Sequence, residues 1–306
     1  MNETILLIIG GTTKAGTTSI FRYLSDHPSI CGSSIKEPRF FIDEDYPVPV
    51  LYRYGYHDIK KYFEYFNHRT TENILLDGTP DYLYSCSSPE KIKEVFPGKV
   101  MWVFLLRNPI KRLTSWYRFA KQVGQISPEI SFSDYVQIQL NSDRKKIENI
   151  QALRALEQGR YSKYLRHYIN IVGRKNIRVI CFEDFVDKPI DVLGDICDFI
   201  GVDAKYFQDY KVSIFNETKS FKNTGLQVAY QRYSDFLYLK IHNRTRLRSA
   251  LRSIQDILIA PILSLVNEKE NNSVSIAPHI RDLLDDYYRS EPTELMNLLD
   301  WKMINW

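Results

Sequence analysis

The chain has 306 residues, of which 44% are hydrophobic and 25% charged, a balance that fits a globular protein of one large or two small domains. Its 41 basic and 37 acidic residues give a net charge of +4, which does not favour a nucleic-acid-binding protein. The sequence contains no apolar run long enough to span a bilayer, so we expect a cytoplasmic protein. We also expect a single domain over residues 1–306.

The first predicted element is a buried strand over Thr4–Ile9, which leaves no room for a signal peptide. The sequence GGTTKAGTTS and a predicted helix follow it. A strand that leads through a Gly/Thr loop into a helix is typical of phosphate sites, because glycines admit an anion and the helix N-terminus offers unpaired N–H groups. Gly11 and Gly16 keep the spacing of the triphosphatase loop GxxxxGK[ST], but Thr17 replaces its lysine and Lys14 comes earlier. The loop therefore predicts a phosphate site that differs from a magnesium–triphosphate site.

Further apolar runs alternate with helical patterns along the chain. Uninterrupted apolar strands are typical of a parallel sheet covered on both faces. The predicted strands are Ile74–Leu76, Val100–Leu106 and Ile177–Phe182, and the predicted helices are Thr17–His27, Ser87–Phe96 (opening with a capping box), Pro109–Val123, Ser131–Glu157, Gly159–Val172 and Lys188–Ile200. The alternation predicts an α/β protein with a three-layer P-loop-like fold, in which a central, mostly parallel sheet is flanked by helices and ligands bind beyond the carboxyl ends of the strands.

Residues 227–272 differ from the rest, because their pattern is helical and basic in the middle. A membrane-surface helix and a solvated face of a packed helix are both open interpretations, and membrane contact is the less favoured of the two. The segment from Pro278 to Trp306 is predicted to form helices that pack on the body.

Cysteines and histidines do not indicate a metal site. Cys181 lies in an apolar strand and Cys197 in an apolar helical stretch, which favours buried thiols over bridges, and neither Cys31 nor Cys86 completes a CxxC pair. The six histidines show no ligand spacing, so no metal is predicted.

A second anion site is predicted in RNPIKRLTSWYRF. Arg107 ends an apolar strand, Pro109 starts a helix, and Ser115 follows about two turns later. An arginine fork and a serine hydroxyl can bind one phosphate together; a salt-bridged arginine and a surface serine are the alternative. Triphosphatases usually have a magnesium-binding aspartate at the end of such a strand, so Arg107 indicates a ligand with a second negative group.

The two motifs together resemble the sulfotransferase family. GGTTKAGTTS is similar to the family's 5′-phosphosulfate loop, and FLLRNPIKRLTSWYRF is similar to its 3′-phosphate motif, RxPxxRxxSxY. KEPRFF (Lys36–Phe41) resembles the KEPxFF element of heparan-type and many bacterial members, and the stretches GRYSKYLRHYI, IRVICFEDFVDKPIDVLGDICDFIGVD and Leu283–Trp306 resemble later parts of the family's domain.

The resemblance implies the cofactor 3′-phosphoadenosine 5′-phosphosulfate and assigns roles to the matched residues. Lys14 is expected to reach the oxygen that bridges phosphate and sulfate and to neutralise charge on the leaving group. Arg107 and Ser115 are expected to bind the 3′-phosphate. Lys222, in a loosely matched loop, would be a third cation there, or alternatively a solvated lysine. The residues expected to bind the 5′-phosphate are Ala15, Gly16, Thr17, Thr18 and Ser19.

Resemblance to heparan-type members also implies that Glu37 is the general base, which takes the proton of the acceptor as its oxygen attacks sulfur. The alternative is a surface glutamate paired with Lys36 or Arg39. Arg39, Asp77 and Asp81 are predicted to contact the acceptor, with turn capping as the alternative for the two aspartates.

Heparan-type members often have Lys-Thr-Pro where this chain has Gly78-Thr79-Pro80, and the missing lysine counts against a sulfated-sugar acceptor. We therefore predict a metal-independent sulfotransferase that acts on a hydroxyl, or an amine, of a small molecule such as a secondary metabolite or toxin. A P-loop nucleotide kinase and a non-enzymatic module that binds a membrane or partner remain alternatives. The sequence leaves the acceptor's identity and the oligomeric state open.

Overall fold

A computed structural model of the chain describes residues 4–96, 98–142, 150–210, 212 and 274–306. The described residues form a central five-stranded sheet with the strand order β2-β3-β1-β4-β5, and every neighbouring pair is parallel. The strands are β1 Ile5–Gly11, β2 Ile30–Gly32, β3 Ile74–Asp77, β4 Lys99–Leu106 and β5 Ile177–Cys181. Because all five run the same way, their carboxyl ends lie at one edge of the sheet.

Both faces of the sheet are covered by apolar side chains, which explains why its strands are continuous hydrophobic runs. Successive residues of β1 point to opposite faces: Leu6 and Ile8 belong to one buried cluster, whereas Leu7 and Ile9 belong to another. The first cluster also contains Leu165 and Tyr168 and, near the C-terminus, Leu295 and Leu299, whereas the second contains residues of the helices that follow β1 and β5. The predicted three-layer α/β fold is confirmed.

Ten α-helices are described around the sheet. They are α1 Thr17–Ser25, α2 Lys60–Phe63, α3 Ser88–Val95, α4 Pro109–Gln122, α5 Phe132–Asn141, α6 Tyr161–Val172, α7 Phe182–Asp187, α8 Pro189–Ile200, α9 Pro278–Tyr287 and α10 Glu291–Leu299. Short 3-10 helices lie at Glu64–Phe66, Pro80–Tyr84, Gln151–Arg154, Glu157–Gly159, Arg174–Asn176 and Ala204–Phe207. Most predicted helices therefore exist, with ends that differ by one or two residues.

The predicted helix over Ser131–Glu157 is wrong as one continuous helix, because the described residues 142 and 150–157 are not α-helical. The observed helix, α5, ends at Asn141, because Ser142 is extended. The chain then returns against α5: the Tyr135 hydroxyl donates to the carbonyl of Ala152, and the Gln139 amide oxygen accepts from the backbone N–H of Leu156. These tertiary contacts replace a continuous helix.

The capping box predicted at the start of α3 is also wrong. The Ser87 side chain makes no capping hydrogen bond to its own helix. Its hydroxyl and its backbone N–H both donate to the carboxylate of Asp43, which also accepts from the backbone N–H of Cys86. An aspartate from a distant loop therefore binds the N–H groups ahead of this helix.

The C-terminal helix α10 contacts the rest of the protein through the buried carboxylate of Glu291. Glu291, at the start of α10, accepts from the backbone N–H of Ser162 at 2.6 Å and from its hydroxyl at 2.9 Å. The Ser162 N–H belongs to the first turn of α6, which has no cap of its own from Arg160. α10 thus stabilises the start of α6.

The predictions for the cysteines, the basic segment and membrane-spanning helices have different outcomes. Cys181 and Cys197 are buried thiols, as predicted, and all four cysteines are free. The predicted basic segment over 227–272 lies outside the described residues. Among the helices that are described, none has the length and hydrophobicity needed to cross a membrane.

Candidate functional site

The loop between β1 and α1 has the backbone of an anion cradle. Gly16 is the N-cap of α1 in the left-handed conformation, with φ 78°, and a Cβ there would lie 3.1 Å from the ring of Phe182. Lys14 also has positive φ, 72°. The first turn of α1 has neither a side-chain cap nor an acidic residue, and the N–H of Ser19 donates to the carbonyl of Gly16. An anion in the loop would therefore meet the positive end of the helix dipole without a competing carboxylate. The predicted residues Ala15 to Ser19 therefore surround one helix N-terminus.

Arg107 joins this loop to the end of β4. Its Nη1 donates to the carbonyl of Lys14 at 2.9 Å, and its guanidinium stacks on the ring of Phe182, 4.6 Å from the centroid. Burial lowers the pKa of Arg107, although the nearby Glu183 opposes that effect. Its Nε is buried and has no hydrogen-bond partner among the described residues. The structure thus brings both predicted phosphate-binding elements together.

The other end of the second motif lies on α4. This helix begins at Pro109, and the side chain of Asn108 accepts from the backbone N–H groups of Ile110 and Lys111. Ser115 is half-buried, about two turns along α4. Its bond to a 3′-phosphate stays a prediction.

Lys14 lies in a strongly cationic setting. Burial, with the charges of Arg107 and Arg118, lowers the pKa of Lys14 to about 8. Its ammonium group lies 4.7 Å from the ring centroid of Phe119. Sequence reasoning missed Arg118, although it is part of the quoted motif and follows Ser115 by one helical turn. A negatively charged ligand would relieve the repulsion among these cations.

Glu37 sits between two cations on the loop after β2. Lys36 pairs with its Oε1, and Arg39 Nη2 lies 2.6 Å from its Oε2. Burial alone would raise the pKa of Glu37, but Lys36 and Arg39 hold it below its usual value. The side chain remains 29% exposed. The ion pairs offered as the alternative interpretation are therefore present, and the carboxylate is still open to an acceptor.

Arg39 connects this loop to the turn after β3. It has positive φ, 54°, and its backbone N–H donates to Thr79 Oγ1 at 3.2 Å. Its Nε lies 3.3 Å from Oδ2 of Asp81, a carboxylate that is 1% exposed. Burial raises the pKa of Asp81, and Arg39 opposes that rise. Asp81 therefore anchors Arg39, and a contact of either residue with an acceptor stays a prediction.

Asp77 lies deeper, at the end of β3. It is fully buried and accepts from Thr79 Oγ1 at 2.6 Å, from the Tyr62 hydroxyl at 3.1 Å and from the Tyr82 hydroxyl at 3.4 Å. Burial raises its pKa to about 7. The contacts observed for Asp77 hold the tip of β3 in place, as turn capping would, and its predicted contact with an acceptor is not among them.

Gly78 explains the departure from Lys-Thr-Pro. A Cβ at this position would lie 2.5 Å from the ring of Phe21 and 3.0 Å from the carbonyl of Lys36. The loop that carries Glu37 therefore packs directly on the backbone of Gly78, where a lysine side chain has no room.

The remaining predictions concern metal binding and Lys222. Within the described ranges, no three His, Cys, Asp or Glu side chains are grouped so that they could hold a metal ion, and metal independence stays a prediction. Lys222 lies outside the described residues.

Comparison with known proteins identifies relatives of this chain. A family model described as a sulfotransferase domain matches residues 5–248. The chain is 26% identical over 215 residues to human heparan sulfate glucosamine 3-O-sulfotransferase 3B1, covering 70% of this chain and 50% of that protein. It is 22% identical over 213 residues to a bifunctional heparan sulfate N-deacetylase/N-sulfotransferase of Drosophila melanogaster, covering 64% of this chain and 19% of that protein. The chain thus spans half or less of these relatives' length.

A solved structure gives the same relationship for the fold. The sulfotransferase from Alicyclobacillus acidocaldarius superposes with a TM-score of 0.67 over 97% of this chain and 96% of that one, at 20% sequence identity. The two proteins share their fold.

Proposed function

The chain belongs to the sulfotransferase family, and from this we propose that it transfers a sulfuryl group from 3′-phosphoadenosine 5′-phosphosulfate to a hydroxyl, or alternatively an amine, of a small-molecule acceptor. The donor supplies the activated sulfuryl group when it is bound. The residues of the chain bind the donor's two phosphate ends and prepare the acceptor.

One observation carries the proposal: Arg107, at the end of β4, donates to the carbonyl of Lys14 in the loop after β1. Two cationic groups from different motifs are thereby held at adjacent strand ends. A single nucleotide with phosphates at both ends suits this arrangement. Within the part of the chain that the structure describes, the Nε of Arg107 has no hydrogen-bond partner and the N-terminus of α1 has no side-chain cap, and both features favour the binding of such groups.

Each predicted site residue would have a separate role in binding or transfer. The N–H groups and hydroxyls of Ala15 to Ser19 would hold the 5′-phosphate, and Arg107 with Ser115 would hold the 3′-phosphate. Lys14 would place its ammonium group at the oxygen that leaves, where negative charge increases during transfer. Glu37 would accept the proton of the acceptor, and its exposed fraction leaves a route to it.

Support for a small acceptor is chemical. The position occupied by lysine in many heparan-type members is Gly78 here, and the packing of Phe21 excludes a longer side chain. A sulfated glycan would lose a cationic contact at that point. A role in secondary metabolism or toxin synthesis, and a cytoplasmic location, remain predictions.

Nucleotide binding provides the first test. Thermal unfolding is measured with adenosine 3′,5′-bisphosphate and, separately, with ATP and magnesium, because a ligand that binds the native state raises its apparent stability. We expect a rise in Tm with the bisphosphate that is smaller in Arg107→Ala at the same ligand concentration. A rise with ATP and magnesium alone would instead favour the nucleotide kinase alternative. Acceptors are then screened with ³⁵S-labelled donor.

A further inference from the structure

A continuous series of polar contacts runs through the protein between the loop after β1 and the carboxylate of Glu37. We call it the Gln158 network; its members are Glu37, Arg39, Asp81, Tyr46, Gln158, Arg112 and Thr13. The sequence does not reveal it, because contacting members lie as far as 112 positions apart.

The acceptor half of the network leads inward from Glu37. Arg39 Nη2 donates to Glu37 at 2.6 Å, and Arg39 Nε forms an ion pair with Asp81 Oδ2 at 3.3 Å without hydrogen-bond geometry. The hydroxyl of Tyr46 donates to the other oxygen of Asp81 at 3.0 Å. Asp81 and Tyr46 are both buried, so these bonds are shielded from water.

The loop half begins at the side-chain amide of Gln158. Gln158 Nε2 donates to the hydroxyl oxygen of Tyr46 at 3.2 Å, and Gln158 Oε1 accepts from Arg112 Nη2 at 2.9 Å. Arg112 Nη2 also reaches Thr13 Oγ1 at 3.5 Å. Thr13 is part of the predicted phosphate loop.

The direction of every bond follows from the chemistry of its partners. Arg112 has only donors, so the oxygen of Gln158 must face it and the amide nitrogen must face Tyr46. Tyr46 then accepts from Gln158 and gives its own proton to Asp81. Gln158 must accept at one end of its side-chain amide and donate at the other, and an apolar residue there would separate the two halves.

Arg112 ties the network to anion binding. It is fully buried, and among the described residues no carboxylate lies within ion-pair distance of it. It donates instead to neutral oxygens of Ala155, Gln158 and Thr13, while its Nε is buried without a partner. A buried guanidinium requires a negative partner, and an anion in the adjacent loop would provide one.

We propose that Gln158 is a positioning residue that couples the phosphate loop to the orientation of Glu37. It holds Arg112 against Thr13 on one side, and through Tyr46 and Asp81 it fixes Arg39, and hence Glu37, on the other. The inference rests on the proposed function, because the two ends of the network matter only if donor and acceptor bind there.

Gln158→Met tests the coupling, with Gln139→Met as the matched control. Gln139 is a buried glutamine of the same region that also uses both ends of its amide, toward Leu156 and Tyr135, but lies outside the network. We expect Gln158→Met to lower affinity for adenosine 3′,5′-bisphosphate and kcat each by about tenfold, the effect of one lost buried hydrogen bond at each end. Gln139→Met should lower Tm only.

Tyr46→Phe separates the two halves and keeps the packing of the ring. It leaves Gln158, Arg112 and Thr13 in contact, so nucleotide affinity measured by calorimetry should remain at the wild-type value while kcat falls. The acid limb of the kcat profile should move to higher pH in both network variants, because a looser Arg39 no longer holds down the proton affinity of Glu37.

The outcomes separate the two levels of inference. If Gln158→Met and Gln139→Met are alike in nucleotide affinity, kcat and pH profile, the coupling role is refuted while the proposed function stands. If Tyr46→Phe leaves kcat and the acid limb unchanged, the acceptor half of the coupling is refuted, whether or not Gln158→Met folds. A wild-type protein that neither binds the bisphosphate nor transfers sulfate would refute the proposed function and the coupling with it.

Discussion

The titration of Lys14 makes nucleotide affinity depend on pH in a defined direction. In the free protein its pKa is about 8, because of burial and the neighbouring cations Arg107 and Arg118. A bound phosphate stabilises the ammonium form and raises this pKa again. Nucleotide binding is then accompanied by the uptake of a proton by Lys14. The affinity is therefore highest below about pH 8, where Lys14 is already protonated in the free protein, and it declines as the pH rises toward the pKa of the bound state.

The size of the decline follows from the two pKa values. If binding restores Lys14 to its ordinary value of 10.5, the linkage relation gives a loss of roughly 25-fold in affinity between pH 7 and pH 9.5, or about 2 kcal/mol. The window is suitable because phosphate monoesters are already dianions above pH 7, their second pKa being about 6. The change therefore reports the protein and not the ligand.

Isothermal titration calorimetry with adenosine 3′,5′-bisphosphate at several pH values measures this linkage. Proton uptake is obtained independently by repeating the titration in buffers of different ionisation enthalpy. Lys14→Arg is the matched control, because arginine stays charged throughout the window. Wild-type affinity as flat as that of Lys14→Arg would refute the assignment of Lys14 to the anion site.

Three further predictions concern binding, turnover and stability. Arg107→Ala should weaken adenosine 3′,5′-bisphosphate by about 2–3 kcal/mol, the scale of a lost charged hydrogen bond, and unchanged affinity by calorimetry would exclude a contact with the 3′-phosphate. Glu37→Gln should abolish sulfate transfer in a ³⁵S assay while nucleotide affinity stays nearly constant; turnover at the wild-type rate would remove Glu37 as the base. Gly78→Ala should destabilise the fold by about 1–3 kcal/mol in chemical denaturation, because the new Cβ meets Phe21 and the carbonyl of Lys36, and an unaltered midpoint would contradict that packing.

Four of the five strands could be predicted because their signal is local, whereas the three-residue strand β2, Ile30–Gly32, was not predicted. β1 is a run of apolar residues followed by a Gly/Thr loop, and the position of Arg107 at the end of β4 was visible in the same way. Such patterns need no knowledge of distant residues. The phosphate loop and its neighbour were therefore located from the chain alone.

Elements decided by distant contacts were not predictable in this way. α5 ends where it does because Tyr135 and Gln139 bind the returning chain at Ala152 and Leu156. The start of α3 depends on Asp43, which lies 44 residues before Ser87. The environment of Glu37 was anticipated in its nearest partners, Lys36 and Arg39, but the link onward to Gln158 joins loops that only the folded chain brings together.

The hydrogen bonds between Glu291 and Ser162 connect the C-terminal helix α10 to the segment that carries Gln158. Gln158 and Tyr161 lie just before Ser162, and the hydroxyl of Tyr161 donates to the carbonyl of Arg107. Removing the last helices, a common step when proteins are shortened for expression, would remove the carboxylate of Glu291 that binds Ser162. Shortened versions should therefore be judged by nucleotide binding as well as by yield.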